Sequence, residues 1–155
     1  MSPTIQARLD QLGIVLDVPA APVANYVPAV QNGSFVFVSG QIPVQKGEVV
    51  FTGRLGDGVS VETGQQAARL CAINILCQVK ALIGDLEQVE ACVRLGGFVA
   101  CAPDFYDHAL VMNGASDLMV EIFGNKGRHC RAAVGCSSLP LNSAVEVEAL
   151  FQVAS

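Results

Sequence analysis

Two long stretches of apolar residues with helical spacing constrain the fold of this 155-residue chain more than any other feature. The first covers residues 61–83 and ends at Gly84, and the second follows Asp104 and ends at Gly124. Segments with strand patterns lie before, between and after these stretches. The resulting order, β-β-α-β-α-β-β after a short N-terminal helix, predicts an α+β fold in which a mixed sheet carries both long helices on one face.

The N-terminal third is predicted from its caps, prolines and glycines. Ser2-Pro3 supplies a cap and a first-turn proline for a short helix over residues 3–12. Residues 17–34 are rich in proline, asparagine and glycine and predict an extended connection. Two strands are then expected, one at residues 34–39 that is covered on both faces and one at residues 48–52.

Three further strands are predicted in the rest of the chain, at residues 89–100, 131–138 and 145–153. Gly96-Gly97 lies inside the first of them and predicts either a β-bulge or a close approach of another group to the backbone. Asp104 is predicted to cap the second long helix.

The composition indicates how the fold is completed. At 155 residues the whole chain, 1–155, is expected to form one domain, with residues 1–20 as an N-terminal helical extension. Because 52% of the residues are hydrophobic and only 15% are charged, we expect the second sheet face to be buried against identical subunits in a ring-like homo-oligomer. The longest uncharged stretch, residues 18–45, is interrupted by proline, asparagine and glycine, so no membrane span is expected there.

The charge and the cysteines disfavour several classes of function. The N-terminus has no basic segment followed by an apolar core, so a cytoplasmic protein is expected. The six cysteines never lie closer than six positions, so they predict buried, reduced side chains rather than a metal or redox centre. The net charge of −5 disfavours nucleic acid as a partner, because phosphate backbones are bound mainly by Lys and Arg.

Arg131 is the strongest candidate for a binding residue. It stands where a polar loop enters an apolar strand, and its guanidinium cannot lose its charge there, so it requires an anion. A bidentate carboxylate fits best, from either an internal Asp or Glu or a substrate. The residues alone favour an internal ion pair by about two to one, since such pairs are commoner than binding sites.

Other polar residues have weaker signals. Glu146 and Glu148 share one strand face, which is either an exposed edge or a place where Glu146, with a raised pKa, orients water or transfers a proton. Tyr26 is either a packing residue or a phenol that lines a pocket. The only histidines, His108 and His129, are expected to face solvent rather than to form an acid and base pair.

Five short motifs, taken together, resemble one family. They are Asn25-Tyr26-Val27-Pro28-Ala29-Val30-x-x-Gly33, Phe37-Val38-Ser39-Gly40-Gln41-Ile42-Pro43, Arg131-x-Ala133-Val134, Leu139-Pro140 and Val145-Glu146-Val147-Glu148-Ala149. Their order and spacing resemble the Rid family, also called YjgF-like, of enamine and imine deaminases. The N-terminal helix and the run Gly127-Arg128-His129-x-Arg131 resemble a longer-chain branch of it.

The resemblance implies a chorismate-mutase-like fold, a homotrimer with sites between subunits, and hydrolysis of 2-enamino and 2-imino acids to 2-keto acids and ammonia without a cofactor or metal. It implies that Arg131 binds the substrate carboxylate and that Glu146 is the catalytic-site glutamate. The substrate-binding positions that it implies are Tyr26, Ser39, Gly40, Asn113 and Ala133.

The sequence departs from the family pattern next to the arginine. The family often has Ser-Cys there and this chain has Ala132-Ala133, so only backbone groups remain at Ala133. The family's asparagine on the second long helix matches either Asn113 or Ser116. Two other functions stay open: a small-carboxylate sensor without turnover, and an endoribonuclease or translation inhibitor, which the acidic charge disfavours.

Overall fold

A computed structural model describes residues 2–20 and 24–155. Elements are numbered in chain order. The helices are α1 (Ile5–Gln11), α2 (Val61–Ile83) and α3 (His108–Phe123). The strands are β1 (Ala29–Asn32), β2 (Phe35–Gln41), β3 (Val44–Gln45), β4 (Glu48–Val49), β5 (Arg54–Leu55), β6 (Gly58–Val59), β7 (Val89–Ala100), β8 (Cys130–Cys136) and β9 (Val145–Val153). Short 3-10 turns cover Leu86–Gln88, Gly124–Gly127 and Pro140–Asn142.

Five strands form the main sheet in the order β1-β2-β9-β7-β8. All neighbours are antiparallel except β7 and β8, which are parallel and connected through α3. The sheet is therefore mixed, and the predicted α+β fold is confirmed. Within the main sheet the order is also two strands, helix, strand, helix and two strands, although the first two are β1 and β2 and the predicted strand at 48–52 is not among them. β8 is an edge strand whereas β9 lies in the centre.

Both long helices pack on one face of the sheet. Ser60 begins α2 by accepting a hydrogen bond from the backbone of Thr63, and Gly84 ends it with a positive φ of 88°. α3 lies so close to α2 that a Cβ on Gly114 would overlap the backbone carbonyl of Gln65. α2 is also long and apolar enough to cross a membrane, but its buried face belongs to this core, as is common for the core helix of a soluble domain.

The core lies between the sheet and these helices, and the opposite sheet face is open. The central strand β9 alternates strictly, with Val145, Val147 and every second residue after them buried and the residues between them half-buried. In β2 only the helix-facing side chains are buried. The prediction that both faces of this strand are covered is therefore wrong for the single chain. Phe35 and Phe37 are exposed on the open face.

Short elements at the N-terminal end differ from the predictions. The first helix begins at Ile5 after its cap Thr4, not after Ser2, because the Thr4 hydroxyl accepts from the backbone of Ala7. The predicted extended connection contains β1, whose four residues pair with β2. The predicted strand at 48–52 is reduced to β4, which pairs locally with β3 outside the main sheet.

The later elements agree more closely. β7 and β9 have their predicted bounds, and β8 covers Cys130–Cys136 instead of 131–138. The β-bulge that Gly96-Gly97 predicted is absent there, because the register shifts of β7 lie before Leu95, whereas the close approach is real: a Cβ on Gly97 would overlap Met112 of α3. Asp107, not Asp104, stands at the start of α3, and its side chain makes no capping hydrogen bond.

Candidate functional site

Arg131 of β8 lies against α3 and forms three hydrogen bonds to it. Its Nη1 donates to Asn113 Oδ1 and to Ser116 Oγ, both at 2.9 Å, and its Nη2 donates to the carbonyl of Ala109 at 3.2 Å. The two candidates for the family's asparagine, Asn113 and Ser116, thus both contact the arginine. We call Arg131, Asn113, Ser116 and the carbonyl of Ala109 the arginine half-site.

The loop after α3 holds β8 beside this helix. Gly127 ends the 3-10 turn so close to α3 that a Cβ there would overlap the Met119 carbonyl, so only glycine fits. The chain then reaches His129, whose Nε2 lies 2.8 Å from Ser116 Oγ and whose Nδ1 lies 2.6 Å from the Gly127 carbonyl. His129 therefore lies directly behind the arginine half-site.

Arg131 has no carboxylate partner among the residues that the structure describes. The ion pairs found there are Arg54 with Asp57, Arg69 with Glu121 and Arg94 with Glu148. All acceptors of Arg131 are neutral oxygens, so its charge is not neutralised within the chain. The internal ion pair that the residues alone favoured is therefore wrong for the described part of the chain.

The hydrogen bonds of Arg131 also leave donors free for a ligand. A guanidinium has five N–H groups, and the three observed bonds use both on Nη1 and one on Nη2. Within the described residues, the Nε–H and the second Nη2–H have no acceptor. Two donors on neighbouring nitrogens match the two oxygens of one carboxylate.

Glu146 occupies a different place, on the open face of the central strand β9. It is half-buried, and its carboxylate lies against the backbone of Gly40, where any Cβ would overlap it. Burial is the main cause that raises the pKa of Glu146, and the neighbouring carboxylate of Glu148 adds to the rise. The expected raised pKa is confirmed in direction, and a carboxyl group with a raised pKa is suited to accepting a proton and returning it.

Two other expected residues, Ser39 and Tyr26, are linked to Gly40 through the chain: Ser39 precedes Gly40 and bonds to Pro28, which lies two residues after Tyr26. Ser39 is exposed, and its Oγ and backbone N–H both donate to the carbonyl of Pro28, at 3.1 and 2.9 Å. Tyr26 is 61% exposed two residues before Pro28, so the phenol is available to a ligand or a partner and is not a core residue. We call Glu146, Gly40, Ser39 and Tyr26 the glutamate half-site.

A shallow groove of about 390 Å³ extends along the open face beside the glutamate half-site. Arg94 and Glu148 form an ion pair of 3.9 Å there. The other lining residues are mainly apolar: Val27, Pro28, Val30, Phe37, Val38, Ser39, Ala149 and Leu150. The groove is therefore suited to packing against an apolar surface.

The two half-sites lie on opposite faces of the sheet in one chain. Arg131 pairs with Leu95 in β7, while Glu146 pairs with Phe98 in the same strand. Leu95 and Phe98 are three residues apart in a regular stretch, so their side chains point to opposite faces. The structure thus groups Asn113 with Arg131 and groups Gly40 with Glu146, but it does not bring Arg131 and Glu146 together.

The remaining candidates have mixed outcomes. Ala133 shares the face of Arg131 and its side chain has no polar group. The histidines contact different partners and not each other, as predicted, but neither is fully exposed to solvent as was also expected: His108 is half-buried 3.5 Å from the thiol of Cys101, and His129 is half-buried against Ser116. The contact of His129 with the arginine half-site was not predicted. Its position two residues before Arg131 in an extended segment already places the two side chains on the same face.

The cysteines agree with their prediction. All six are free, four are buried, and only Cys130 is exposed. Burial raises the pKa of the Cys92 thiol to about 12, as expected for a packing residue rather than a nucleophile. No group of three or more metal-binding side chains occurs in residues 2–20 and 24–155.

Comparison with known proteins identifies the family. The model of a family described as "YjgF/chorismate mutase-like, putative endoribonuclease" matches residues 6–153. The chain belongs to this YjgF-like family. The motifs around Ser39, Arg131 and Glu146 indicated the same family, and its longer-chain branch stays a prediction.

Individual relatives cover nearly the whole chain. Protein TCP17 of Trypanosoma cruzi is 45% identical over 150 residues, which are 96% of this chain and 94% of that protein. The crystal structure of Atu1372, a protein with unknown function from Agrobacterium tumefaciens, matches with a TM-score of 0.90 and 46% identity over 98% of this chain and 94% of its own. E. coli TdcF with bound serine matches with a TM-score of 0.62 and 27% identity over 89% and 94% of the two chains.

Proposed function

We propose that this protein hydrolyses 2-imino acids and their 2-enamino tautomers to 2-keto acids and ammonia. The observation that carries the proposal is the state of Arg131: it is charged, has no carboxylate partner in the described chain, and keeps two donors for one. Glu146, with its raised pKa, supplies the second requirement, a group that can take and return a proton.

The reaction needs only these two groups and water. Arg131 binds the substrate carboxylate and so fixes the position of the neighbouring C=N carbon. Glu146 accepts a proton from a water molecule as its oxygen attacks that carbon, and it passes this proton to the nitrogen, which gives a neutral tetrahedral amino alcohol. Glu146 then takes the proton of the new hydroxyl group and passes it to the same nitrogen, so that the C–N bond breaks and ammonia leaves as the C=O bond forms.

We further propose that each site is shared between two subunits of a homo-oligomer, a homotrimer by family resemblance. Because Arg131 and Glu146 lie on opposite faces of one sheet, one chain alone cannot present both groups to a small molecule. A partner chain that covers the open face would bring its own arginine half-site beside Glu146. Tyr26, which is exposed in the single chain, would then line the shared cleft.

Two alternatives remain as outcomes of the test. The bound serine of TdcF is an amino acid and therefore a small carboxylate, which also suits a sensor that binds such ligands without turnover. The family description mentions endoribonuclease activity, which in a metal-free enzyme commonly uses two histidines as acid and base. Here His129 contacts Ser116, which is eight residues and about 12 Å from His108 along α3, so the histidines are not arranged as such a pair.

The proposal is tested by following imine decay after an amino-acid oxidase or dehydratase releases the imine in the cuvette. We expect the protein to accelerate decay over buffer, and we expect Arg131→Ala and Glu146→Gln to abolish the acceleration. Arg131→Lys keeps the charge but not the planar pair of donors, so it should recover only part of the activity. Binding of 2-oxobutyrate by calorimetry without any acceleration for several imines would support the sensor instead.

A further inference from the structure

His129 has both ring nitrogens in hydrogen bonds, and their directions can be assigned. The Gly127 carbonyl can only accept, so the Nδ1 that lies 2.6 Å from it carries a hydrogen. In the neutral ring Nε2 then holds a lone pair and accepts from the Ser116 hydroxyl, 2.8 Å away. The tautomer of His129 is thus fixed by a backbone carbonyl.

Ser116 connects this histidine to the arginine. Its hydroxyl hydrogen is directed to His129, so a lone pair on the same oxygen remains for Arg131 Nη1 at 2.9 Å. Every donor in this series points the same way, from Arg131 to Ser116 to His129 to Gly127. Hydrogen bonds in such a series polarise one another, and each bond is strengthened by its neighbours.

Gly127, the last acceptor in this series of hydrogen bonds, is held firmly against α3. Gly127 is buried against the Met119 carbonyl of α3, in a place where a side chain would not fit. Ser116 belongs to α3 as well, one turn before Met119. His129 is therefore held between Ser116 of α3 and a turn that packs against the same helix, and it can hold the Ser116 hydroxyl in one rotamer.

We infer that His129 is a positioning residue that acts through Ser116 to fix the guanidinium of Arg131 in the orientation that binds a carboxylate. The inference rests on the proposed function, because it concerns the same carboxylate-binding arginine. Without His129 the Ser116 hydroxyl is free to rotate and to donate to the preceding turn of its own helix, as serine in a helix commonly does. The Nη1 of Arg131 then loses one fixed acceptor, and only the bonds to Asn113 and to the Ala109 carbonyl still hold the direction of the two free donors.

We expect the loss of His129 or Ser116 to weaken substrate binding and not to slow the chemical step. His129 and Ser116 lie behind the arginine, on the helix side of the sheet, whereas Glu146 lies on the open face. Their loss should weaken binding of ground state and transition state alike, which raises KM and leaves kcat nearly unchanged. A histidine in an acid or base role would instead lower kcat.

The test compares Ser116→Ala, His129→Phe and the double variant in the full-length protein. Dissociation constants for 2-oxobutyrate are measured by calorimetry, and KM and kcat are measured with a released imine. Each single variant should weaken 2-oxobutyrate binding about tenfold, the loss expected for one hydrogen bond. The double variant should be no weaker than Ser116→Ala alone, because His129 acts only through that serine.

Two further variants separate positioning from general damage. His129→Gln can accept from Ser116 and donate to Gly127, so it should restore at least part of the affinity. His108→Gln makes the same exchange at the other histidine, which contacts Cys101 and has no hydrogen bond to the arginine half-site, so it should leave binding unchanged. Additive effects of Ser116→Ala and His129→Phe, or a fall in kcat without a rise in KM, would overturn the inference.

A spectroscopic measurement keeps the inference separate from the proposed function. Arg131 should give distinct Nη resonances in ¹H–¹⁵N spectra of the unmodified protein, because its bonds to α3 slow rotation of the guanidinium, and these resonances should merge in His129→Phe. If the unmodified protein neither hydrolyses imines nor binds 2-oxobutyrate, the proposed function fails, but the merging of resonances still supports the positioning role. Unchanged Arg131 resonances in His129→Phe would refute that role whatever the activity.

Discussion

Glu146 is the residue whose environment differs most from that of an ordinary surface carboxylate. Burial and the neighbouring Glu148 raise its pKa, so the protonated form is favoured in the folded chain relative to the unfolded chain. Glu146→Gln should reduce imine hydrolysis at least about 100-fold, since it removes the proton-transfer group. Steady-state rates with a released imine measure this, and unchanged binding of 2-oxobutyrate would show that the carboxylate half of the site survives.

The same pKa shift makes a prediction about stability. Between the ordinary pKa and the raised one, the folded state binds more protons than the unfolded state, so the contribution of Glu146 to stability falls as pH rises. Glu146→Gln cannot ionise and so avoids this loss of stability, and it should raise the midpoint of urea unfolding at pH 8. The gain should be small because the side chain is half-exposed, and it should disappear below about pH 4, where Glu146 is protonated in both states. A gain that is equal at pH 4 and pH 8 would contradict this cause.

Gly40 makes room for that carboxylate. A Cβ at this position would overlap Glu146, so Gly40→Ala should push the carboxylate away from its place and lower kcat about 10- to 100-fold. The check is a double-variant cycle on kcat: if Gly40→Ala acts by displacing the carboxylate, it should have little further effect when combined with Glu146→Gln. Full additivity of the two changes would indicate that Gly40 acts elsewhere, for example on Ser39.

At the scale of elements, the arginine half-site depends on how closely α3 packs on α2. Gly114 stands next to Asn113, and an added Cβ would overlap the Gln65 carbonyl of α2. Gly114→Ala should therefore reduce the free energy of unfolding by about 1–3 kcal/mol, despite the better helix propensity of alanine. Because the helix must shift, carboxylate binding at Arg131 should weaken as well.

Urea unfolding and calorimetry with 2-oxobutyrate measure the two effects of Gly114→Ala. Asp117→Ala is the matched control, since it changes an exposed side chain of the same helix. Its free energy of unfolding should change by less than about 0.5 kcal/mol. A stability of Gly114→Ala equal to that of the control would mean that α2 and α3 can separate at no cost.

The elements also show what the sequence could predict. Long elements with an uninterrupted period, α2, β7 and β9, have the expected bounds because many residues contribute to each pattern. β1 and β3 to β6 are two to four residues long and exist through pairing with other segments, so no local period indicates them. The helix starts at Thr4 and Asp107 were misplaced because several polar residues near each start could serve as the cap.

For the candidate site, the sequence indicated individual residues but not their arrangement. Arg131 was singled out because a guanidinium that enters an apolar strand needs an anion. Glu146 was singled out because it lies in a strand where apolar and polar residues alternate. That the two side chains point to opposite faces depends on the register of β8 and β9 against β7, which is a property of long-range pairing. The bond from His129 to Ser116 likewise depends on how the loop after α3 folds back onto that helix.

At the scale of the whole molecule, the open face of the sheet requires an explanation. Val30, Phe35, Phe37 and Val134 are exposed there, and Val30 and Phe37 also line the groove that contains Glu148. An apolar surface of this kind on one face of a sheet is typical of a subunit interface. The proposed shared site follows from the same face, because the partner that covers these side chains would also complete the site.

Subunit sharing can be tested by complementation between two inactive variants. Arg131→Ala destroys the arginine half-site but keeps Glu146, and Glu146→Gln does the reverse. If each site takes its arginine from one chain and its glutamate from the next, a mixed oligomer contains some sites with both groups intact. In a homotrimer every mixed ring has one of its three sites with both groups intact, so mixed oligomers purified free of homo-oligomers should have about a third of the unmodified activity.

The measurement is imine decay by mixed oligomers, obtained by co-expressing the two variants with different tags and purifying through both tags. Each variant expressed alone is the control and should be inactive, as should a mixture of the two that has not exchanged subunits. An inactive mixed oligomer would place both groups of each site in one chain. A small substrate would then have to reach Arg131 and Glu146 from opposite faces of the same sheet, which the register of β7, β8 and β9 opposes. Recovery of activity in the mixed oligomer is the result that the proposed shared site predicts.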